Sequence, residues 1–325
     1  MKKKFFLGID GGGTKTDLLL GDESGNIILS LKEGGTNYQV VGINNTFKTL
    51  KKLLQTVVNK CNIKLDALEA VIGLAGVDMK EDEIMLSNII RKIGLKKFLL
   101  LNDAFVALKA GLLEKKYGIV VIAGTGTITV GRSKLGWKRL GGYTSLLGDS
   151  FSGPDIGFRA ISTVFRKWEL GNLKSVKILA DELIRYFNKK NIIELHRYLY
   201  FNPPSEQELG YVLKPLLTAY KKGDKIAKKI LNDAAVIYSE NIKSIAKKLK
   251  MKGKIKVVLG GGVFTHSQGI LDMLVKKKLP KRFECIVLKY PPVFGALLMA
   301  YEESGMLNSK ILNNLLLSID NVKQS

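Results

Sequence analysis

Arginine is scarce in this chain. Of its 52 basic residues, eight are Arg and 44 are Lys, in a sequence of 325 residues with a net charge of +23. Nucleic-acid readers use Arg forks and interleaved aromatics. Here the lysines are spread over helix-like stretches such as KKGDKIAKKIL and NIKSIAKKLKMKGKIK. They read as solvated faces, and no nucleic-acid partner is expected, although a positive field still draws in anionic ligands such as nucleotides. Cysteine is scarcer. Cys61 and Cys285 match no zinc or redox spacing, so buried, reduced thiols of a cytosolic protein are expected. Long apolar runs are missing too, which argues against a membrane span. The basic start MKKKFF leads into an apolar run that ends at Asp10, too short for the apolar region of a secretion signal. No low-complexity linker interrupts the chain. A soluble cytoplasmic protein of about two domains follows, long enough to bury its core without staples.

What is present is glycine in particular places. In GIDGGGTKTDLLLGDESGNIILSL, residues 8–31, an aspartate, three glycines and Thr-Lys-Thr separate two apolar runs. A dinucleotide fingerprint needs G-x-G-x-x-G opening a helix, and a Walker loop needs G-x-x-x-x-G-K-[ST] opening a helix. The spacing fits neither. The runs predict strands at Phe5–Ile9, Thr16–Gly21 and Ile27–Leu31, with DESGN as a turn. The glycines therefore lie in a hairpin turn, whose amides can form an anion-binding nest without a helix dipole. A helix follows, with Ile43, Phe47, Leu50, Leu54, Val57 and Cys61 on one stripe. ALEAVIGLAGV then reads as a buried strand, EDEIMLSNIIRKI as a helix, and KKFLLLNDAFVALKAGL as strand, acidic turn and helix.

The pattern then restarts. YGIVVIAGTGTITVGRSKLGWKRLGGY is again strand, glycine-hydroxyl turn, strand, turn, strand, a structural repeat of the opening hairpin. A mostly helical stretch runs from Pro154 to about residue 250. KIKVVLGGGVF supplies another buried strand with a glycine triplet, CIVLKYPPVFGALLMAYEE a strand, a Pro-Pro break and a helix, and SKILNNLLLSID a short final helix.

Two Gly-Thr hairpins, each opening a lobe, resemble the plan of the sugar kinase, actin and chaperone ATPase superfamily. Within it the sequence resembles the N-acetylglucosamine kinase group of the BadF/BadG/BcrA/BcrD-type ATPase family. The matching pieces are GIDGGGTKT, GGTNYQVVG, IGLAG, LNDAFVAL, IAGTGTITVG, GGYTSLLGDSFSGPDIG, VVLGGGVF and PPVFGALLMA, in family order from residue 8 to 300. The resemblance implies an α/β fold of two ribonuclease H-like (actin-like ATPase) lobes. Each is a mixed five-stranded sheet flanked by helices, with a nucleotide and sugar cleft between them. The lobes are expected at 1–116 and 117–304, the second with a helical insertion at about 154–250. A final helix at about 305–325 would pack back on the first lobe.

The same resemblance implies roles. Asp103 reads by itself as an N-cap, which Asp favours, and by resemblance as the general base for a sugar hydroxyl; the two are compatible. Asp10 reads as a turn starter or, by resemblance, as the carboxylate facing Mg²⁺ mostly through water. Gly11, Gly12, Gly13, Thr14 and Lys15 would meet the phosphates from one side, although Lys15 is also simply an exposed lysine. Gly124, Thr125 and Gly126 would meet them from the other side, while Gly260, Gly261 and Gly262 lie near the adenosine or form a plain strand-to-helix turn. Asn37 and Asp149 match sugar-binding positions, Asn37 being equally at home in a turn. Gly76, Thr127, Gly142, Tyr143 and Thr144 complete the sugar pocket.

The motif often written GDEGSGYDIG is GDSFSGPDIG here, with Ser150 for the acid, Phe151 for glycine and Pro154 for tyrosine. An aromatic beside the sugar site is expected to reshape the pocket, and the loop after Gly141 lacks the Trp of some relatives. The implied activity is ATP- and Mg²⁺-dependent phosphorylation of an amino sugar, N-acetylglucosamine or a relative such as glucosamine or N-acetylmuramate, at its 6-hydroxyl. A homodimer is the family expectation. Two other classes stand beside it. One is the activator of a radical enzyme, which holds an iron–sulfur cluster through cysteines that are not clustered here. The other is a sugar-sensing regulator without turnover, for which no helix-turn-helix extension is visible. The Cys-rich zinc motif of the glucokinase-type repressors is absent.

Overall fold

A computed structural model describes residues 3–144 and 146–322. The chain opens with β1 (Phe5–Gly11), β2 (Lys15–Gly21) and β3 (Ile27–Gly34), followed by α1 (Tyr38–Val41) and α2 (Ile43–Cys61). Next come β4 (Leu68–Leu74), α3 (Lys80–Ile93), β5 (Phe98–Leu101) and α4 (Asp103–Leu112). The second meander is β6 (Gly118–Ala123), β7 (Thr127–Ser133) and β8 (Gly136–Gly141). It leads into α5 (Gly153–Glu169), α6 (Lys177–Tyr186), α7 (Ile192–Phe201), α8 (Glu206–Tyr211), α9 (Leu213–Lys221) and α10 (Lys225–Lys248). β9 (Ile255–Gly260), α11 (Gly262–His266), α12 (Ile270–Lys278), β10 (Phe283–Val287), α13 (Pro292–Glu303) and α14 (Ser309–Val322) complete it. These elements form two compact units: the chain up to Lys116 together with the chain from Leu288 onward, and Tyr117–Val287.

In the first unit the sheet order is β3-β2-β1-β4-β5, with β2 antiparallel to β1 and to β3, and β4 and β5 parallel to β1. β1 is buried at nearly every position because both of its faces are covered. Its alternation divides the work: Phe5, Leu7 and Ile9 join the core formed with α2 and α3, and Phe6 joins the core formed with α13 and α14. The edge strand β3 alternates half-buried and exposed residues instead.

α13 corrects the expected division of the chain, which gave residues 288–304 to the second lobe. It packs on β1 and α4 of the first unit. Two glycines allow the approach. A side chain on Gly8 would begin 2.4 Å from the backbone nitrogen of Leu297, and one on Gly295 would begin 1.9 Å from the carbonyl oxygen of Val106. The helix is held there by the Phe6–Tyr301 ring stack, with centroids 4.0 Å apart, and by Tyr301, whose hydroxyl donates to the Asp22 carbonyl at 2.6 Å. Each of its buried Leu, Phe and Met side chains contributes about 1.5–3 kcal/mol.

The second unit repeats the plan. Its sheet order β8-β7-β6-β9-β10 again sets an antiparallel meander beside two parallel strands. Here a larger helical set, α5, α6, α7, α9 and α10 with α11 and α12, closes one core against the sheet. Asp224 starts α10 from a buried position, accepting from the amides of Ile226 and Ala227 at 2.9 Å each and from Leu179 at 3.1 Å.

Candidate functional site

The first unit gathers its candidate residues at the carboxyl ends of β1, β4 and β5, where open α/β sheets place their ligands. The glycine turn joins β1 to β2 as a hairpin. The Gly12 amide donates to the Lys15 carbonyl at 2.9 Å, and the Gly12 carbonyl accepts from the amides of Thr36 at 2.9 Å and Asn37 at 3.0 Å. The turn is thereby tied to the loop that carries Asn37. Gly11 is buried against Thr36 and Leu74, Gly13 faces Val40, and Thr14 and Lys15 are exposed. The Lys15 ammonium pairs with Asp17 at 2.6 Å.

Asp10, the next-to-last residue of β1, lies directly opposite Asp17 of β2. Burial pushes its carboxyl up to about 8; the negative charges of Asp103 and Asp17 add to the rise, and Lys15 opposes it. A buried carboxyl with two further acids acting on it forms a place for a counter-cation. Among the described residues no group of three or more His, Cys, Asp or Glu is arranged as a metal cage. Mg²⁺ does not need one, since it is held by one or two carboxylates, waters and substrate phosphates. Asp10 and its neighbours fit that donor set.

Asp103 is the first residue of α4, half-buried, and the N-cap is the residue before it. Asn102 accepts from the Ala104 amide at 3.0 Å through its side-chain oxygen, and its amide nitrogen donates to Asp78 at 3.1 Å. The capping role expected of Asp103 therefore belongs to Asn102. Asn37 caps the short α1 by accepting from the Gln39 amide at 3.1 Å, and the Gly76 backbone lies against its side-chain oxygen. Asp10, the glycine turn, Asn37, Gly76 and Asp103 thus share one end of one sheet.

In the second unit, the turn between β6 and β7 is closed by the Gly124 amide donating to the Gly126 carbonyl at 2.8 Å. The Gly124 carbonyl accepts from Gly153 at 2.7 Å, which brings the start of α5 onto the turn. Thr125 is exposed; Thr127 is buried, with no partner seen for its hydroxyl. Asp149 is buried. One of its oxygens accepts from the Gly142 amide at 2.9 Å, and the other lies 2.7 Å from where a side chain on Gly126 would begin. It ties the turn to the loop at Gly142. Arg139 reinforces that loop, donating to the Gly142 carbonyl at 2.6 Å with its guanidinium 4.5 Å from the centre of the exposed Tyr143 ring. Thr144 is exposed, and Ser145 of the same motif lies outside the described residues.

Two of the three departures from the family motif read differently in three dimensions. Phe151, expected beside the sugar, is buried in the core of the second unit. It occupies a left-handed conformation (φ 59°), donates its amide to Asp155 at 2.7 Å and has the Arg159 guanidinium 4.4 Å from its ring centre. A glycine fits that backbone without strain; here ring burial offsets the strain. Pro154, at the first turn of α5, lines a cavity on the other side of the turn.

That cavity has a volume of about 730 Å³. Gly124 and Thr125 form one end and Gly262, Val263 and His266 one wall, while α6, α8 and α9 add apolar residues such as Tyr186, Tyr211 and Leu213 and polar ones such as Glu206, Gln207 and Lys221. Gly260 ends β9, and Gly261 caps α11, whose first residue, Gly262, lines the cavity. Gly261 has φ 89°, and a side chain there would begin 2.3 Å from the Ala123 carbonyl. A cavity of this size, largely apolar and opening on a glycine turn, can take a base and ribose. The sequence reading found the turn and the triplet but missed the residues of α6, α8 and α9, which carry no motif. It also missed Asn102, Asp78, Asp82 and Tyr38, although Asn102 and Tyr38 adjoin residues it named.

The model of the BadF/BadG/BcrA/BcrD ATPase family matches residues 7–300. The chain belongs to that family. It is 33% identical over 308 residues to an N-acetylmuramic acid/N-acetylglucosamine kinase of Clostridium acetobutylicum, covering 92% of this chain and 99% of that protein. It is 30% identical over 330 residues to an N-acetyl-D-glucosamine kinase of Dictyostelium discoideum, covering 95% and 100%. A solved structure of a candidate N-acetylglucosamine kinase from Chromobacterium violaceum has a TM-score of 0.67 at 21% identity, over 91% of this chain and 99% of that one. A ROK family glucokinase from Streptomyces griseus, solved with glucose and AMPPNP, has a TM-score of 0.53 at 16% identity, over 91% and 98%. The two mixed five-stranded sheets are therefore the actin-like ATPase fold of sugar kinases.

Proposed function

We propose that the chain is an ATP-dependent kinase of an amino sugar, N-acetylglucosamine or a close relative such as N-acetylmuramate or glucosamine, acting on the 6-hydroxyl. The supporting observation is the placement of Asp103 on the first turn of α4, with its capping duty taken by Asn102 and its charge felt at Asp10. The near full-length similarity to the two kinases supports the sugar class.

In this reading the Asp103 carboxylate accepts the proton of the sugar hydroxyl as its oxygen bonds to the γ-phosphorus and the bond to ADP breaks. By the family resemblance, Asn37 and the loop at Gly76 are assigned to the sugar, as are Thr127, Gly142, Tyr143, Thr144 and Asp149. Gly11–Gly13, Thr14 and Lys15 meet the phosphates, as do Gly124, Thr125 and Gly126. The cavity beside Gly262 takes the adenosine, and Gly260 and Gly261 let the strand-to-helix turn approach it. Asp10 would hold Mg²⁺, which would supply neutralisation of the phosphate charge that develops during transfer. The reading extends, from the family resemblance, to a homodimer in the cytoplasm. Among the described residues no helix is long and apolar enough to cross a membrane.

ADP release measured over a panel of amino sugars tests it. Turnover on N-acetylglucosamine or N-acetylmuramate is expected, and absence of turnover on every sugar overturns the reading. Sugar binding without turnover would identify a sensor instead. Cluster absorbance after anaerobic iron reconstitution would identify an activator.

A further inference from the structure

A chain of hydrogen bonds crosses the carboxyl end of the first unit's sheet and ends at Asn102, the residue before Asp103. The Tyr38 hydroxyl donates to one oxygen of Asp82. The other oxygen of Asp82 accepts from the amides of Asp78 at 3.0 Å and Met79 at 2.8 Å, fixing the loop between β4 and α3. The Asp78 carboxylate accepts from the Asn102 side-chain amide at 3.1 Å. Asn102 is 5% exposed, and its oxygen holds the first turn of α4 at the Ala104 amide. Tyr38 is the neighbour of Asn37, and Asn102 is the neighbour of Asp103. Three loops that share no sequence proximity are thus locked together by side chains, and the two ends of the lock are adjacent to the two sugar-facing candidates.

We infer that Asn102 and Asp78 are positioning residues for Asp103, holding its carboxylate at the distance proton acceptance requires. The inference rests on the kinase reading and extends it to the residues that set the geometry of the base. An amide is needed at 102 because it must accept from the helix and donate to Asp78 at once. Aspartate caps a helix as well as asparagine does, but it has no proton to give, so at 102 it would oppose the charge of Asp78. A carboxylate displaced by about 1 Å costs up to about 100-fold in rate.

The test uses the full chain and two variants. Asn102→Asp keeps the cap and loses the bond to Asp78, so kcat is expected to fall about 10- to 100-fold, with the KM for ATP unchanged within about twofold. Adding Asp78→Asn reverses donor and acceptor across the same contact, and the double variant is expected to recover kcat to within about threefold of wild type. Asn102→Asp at full kcat overturns the inference. So does a double variant that regains the wild-type Tm while kcat stays depressed, because the bond would then serve the fold alone. A wild-type protein with no turnover on any amino sugar fails earlier and overturns the kinase reading itself.

Discussion

The two sheets have the same strand order and their hairpin turns the same glycine-hydroxyl character, yet the turns are chemically unlike. The β1–β2 turn is flanked by charge: Asp10 and Asp17 face each other across the hairpin, Lys15 pairs with Asp17, and Asp103 raises Asp10 further. The β6–β7 turn carries no charge of its own. Asp149, which lies against it, is bound to the Gly142 amide, and beyond the turn lies a cavity of about 730 Å³. One topology therefore supports two kinds of work, charge handling in the first unit and volume with backbone donors in the second. Substitutions in the first should act on kcat and in the second on nucleotide affinity.

The strongest break of that contrast is Asp103→Asn. Because Asn102 caps the helix, the fold should survive, and kcat in an ADP-release assay should drop by about 10²–10⁴. Full turnover would remove the assigned base.

Asp10→Asn should cost at least about 100-fold in magnesium-supported kcat, while stabilising the protein free of divalent ions. The sign follows from the raised carboxyl. Between its usual value of 3.8 and about 8, the unfolded chain has released this proton and the folded chain has kept it. Stability therefore falls as pH rises across that window, and the amide escapes the loss. Thermal melts at pH 5 and pH 8 in EDTA should show the variant gaining most at pH 8; a lower Tm at both would mean the carboxylate is satisfied in the fold.

In the second unit, Gly261→Ala should act on binding. Its positive φ and the close Ala123 carbonyl force the backbone to shift, at about 1–3 kcal/mol. The KM for ATP should rise about tenfold or more, with a smaller change in kcat. The mildest expected effect is that of Lys15→Ala. Its exposed ion pair with Asp17 contributes at most about 1 kcal/mol, so Tm should barely move and the KM for ATP should rise about threefold. A larger fall in kcat than in Asp10→Asn would reverse the ranking of the two side chains.

Much of this was legible in the sequence because the signals are local. The glycine spacing excluded a helix after β1, and the restart at residue 117 matched a second meander with the same strand order. Asp10 and Asp103 stood at strand ends where acids are conspicuous. What was not legible depends on distance. Asn102 and Asp103 are both good caps, and nothing local decides which residue takes the cap when two stand side by side. Tyr38 meets Asp82 across 44 positions. Phe151 could be placed only once its left-handed backbone was known. The attachment of α13 to the first unit rests on Gly8 and Gly295, which look unremarkable until two backbones are brought within contact.

That attachment has a consequence for synthesis. A ribosome that has made residues 1–287 has released every strand of the first sheet, but the helix that covers Phe6 and Gly8 is still to come. Until residues 292–303 emerge, one side of that sheet is greasy and bare, and in that interval the nascent protein is most exposed to aggregation and in greatest need of a chaperone.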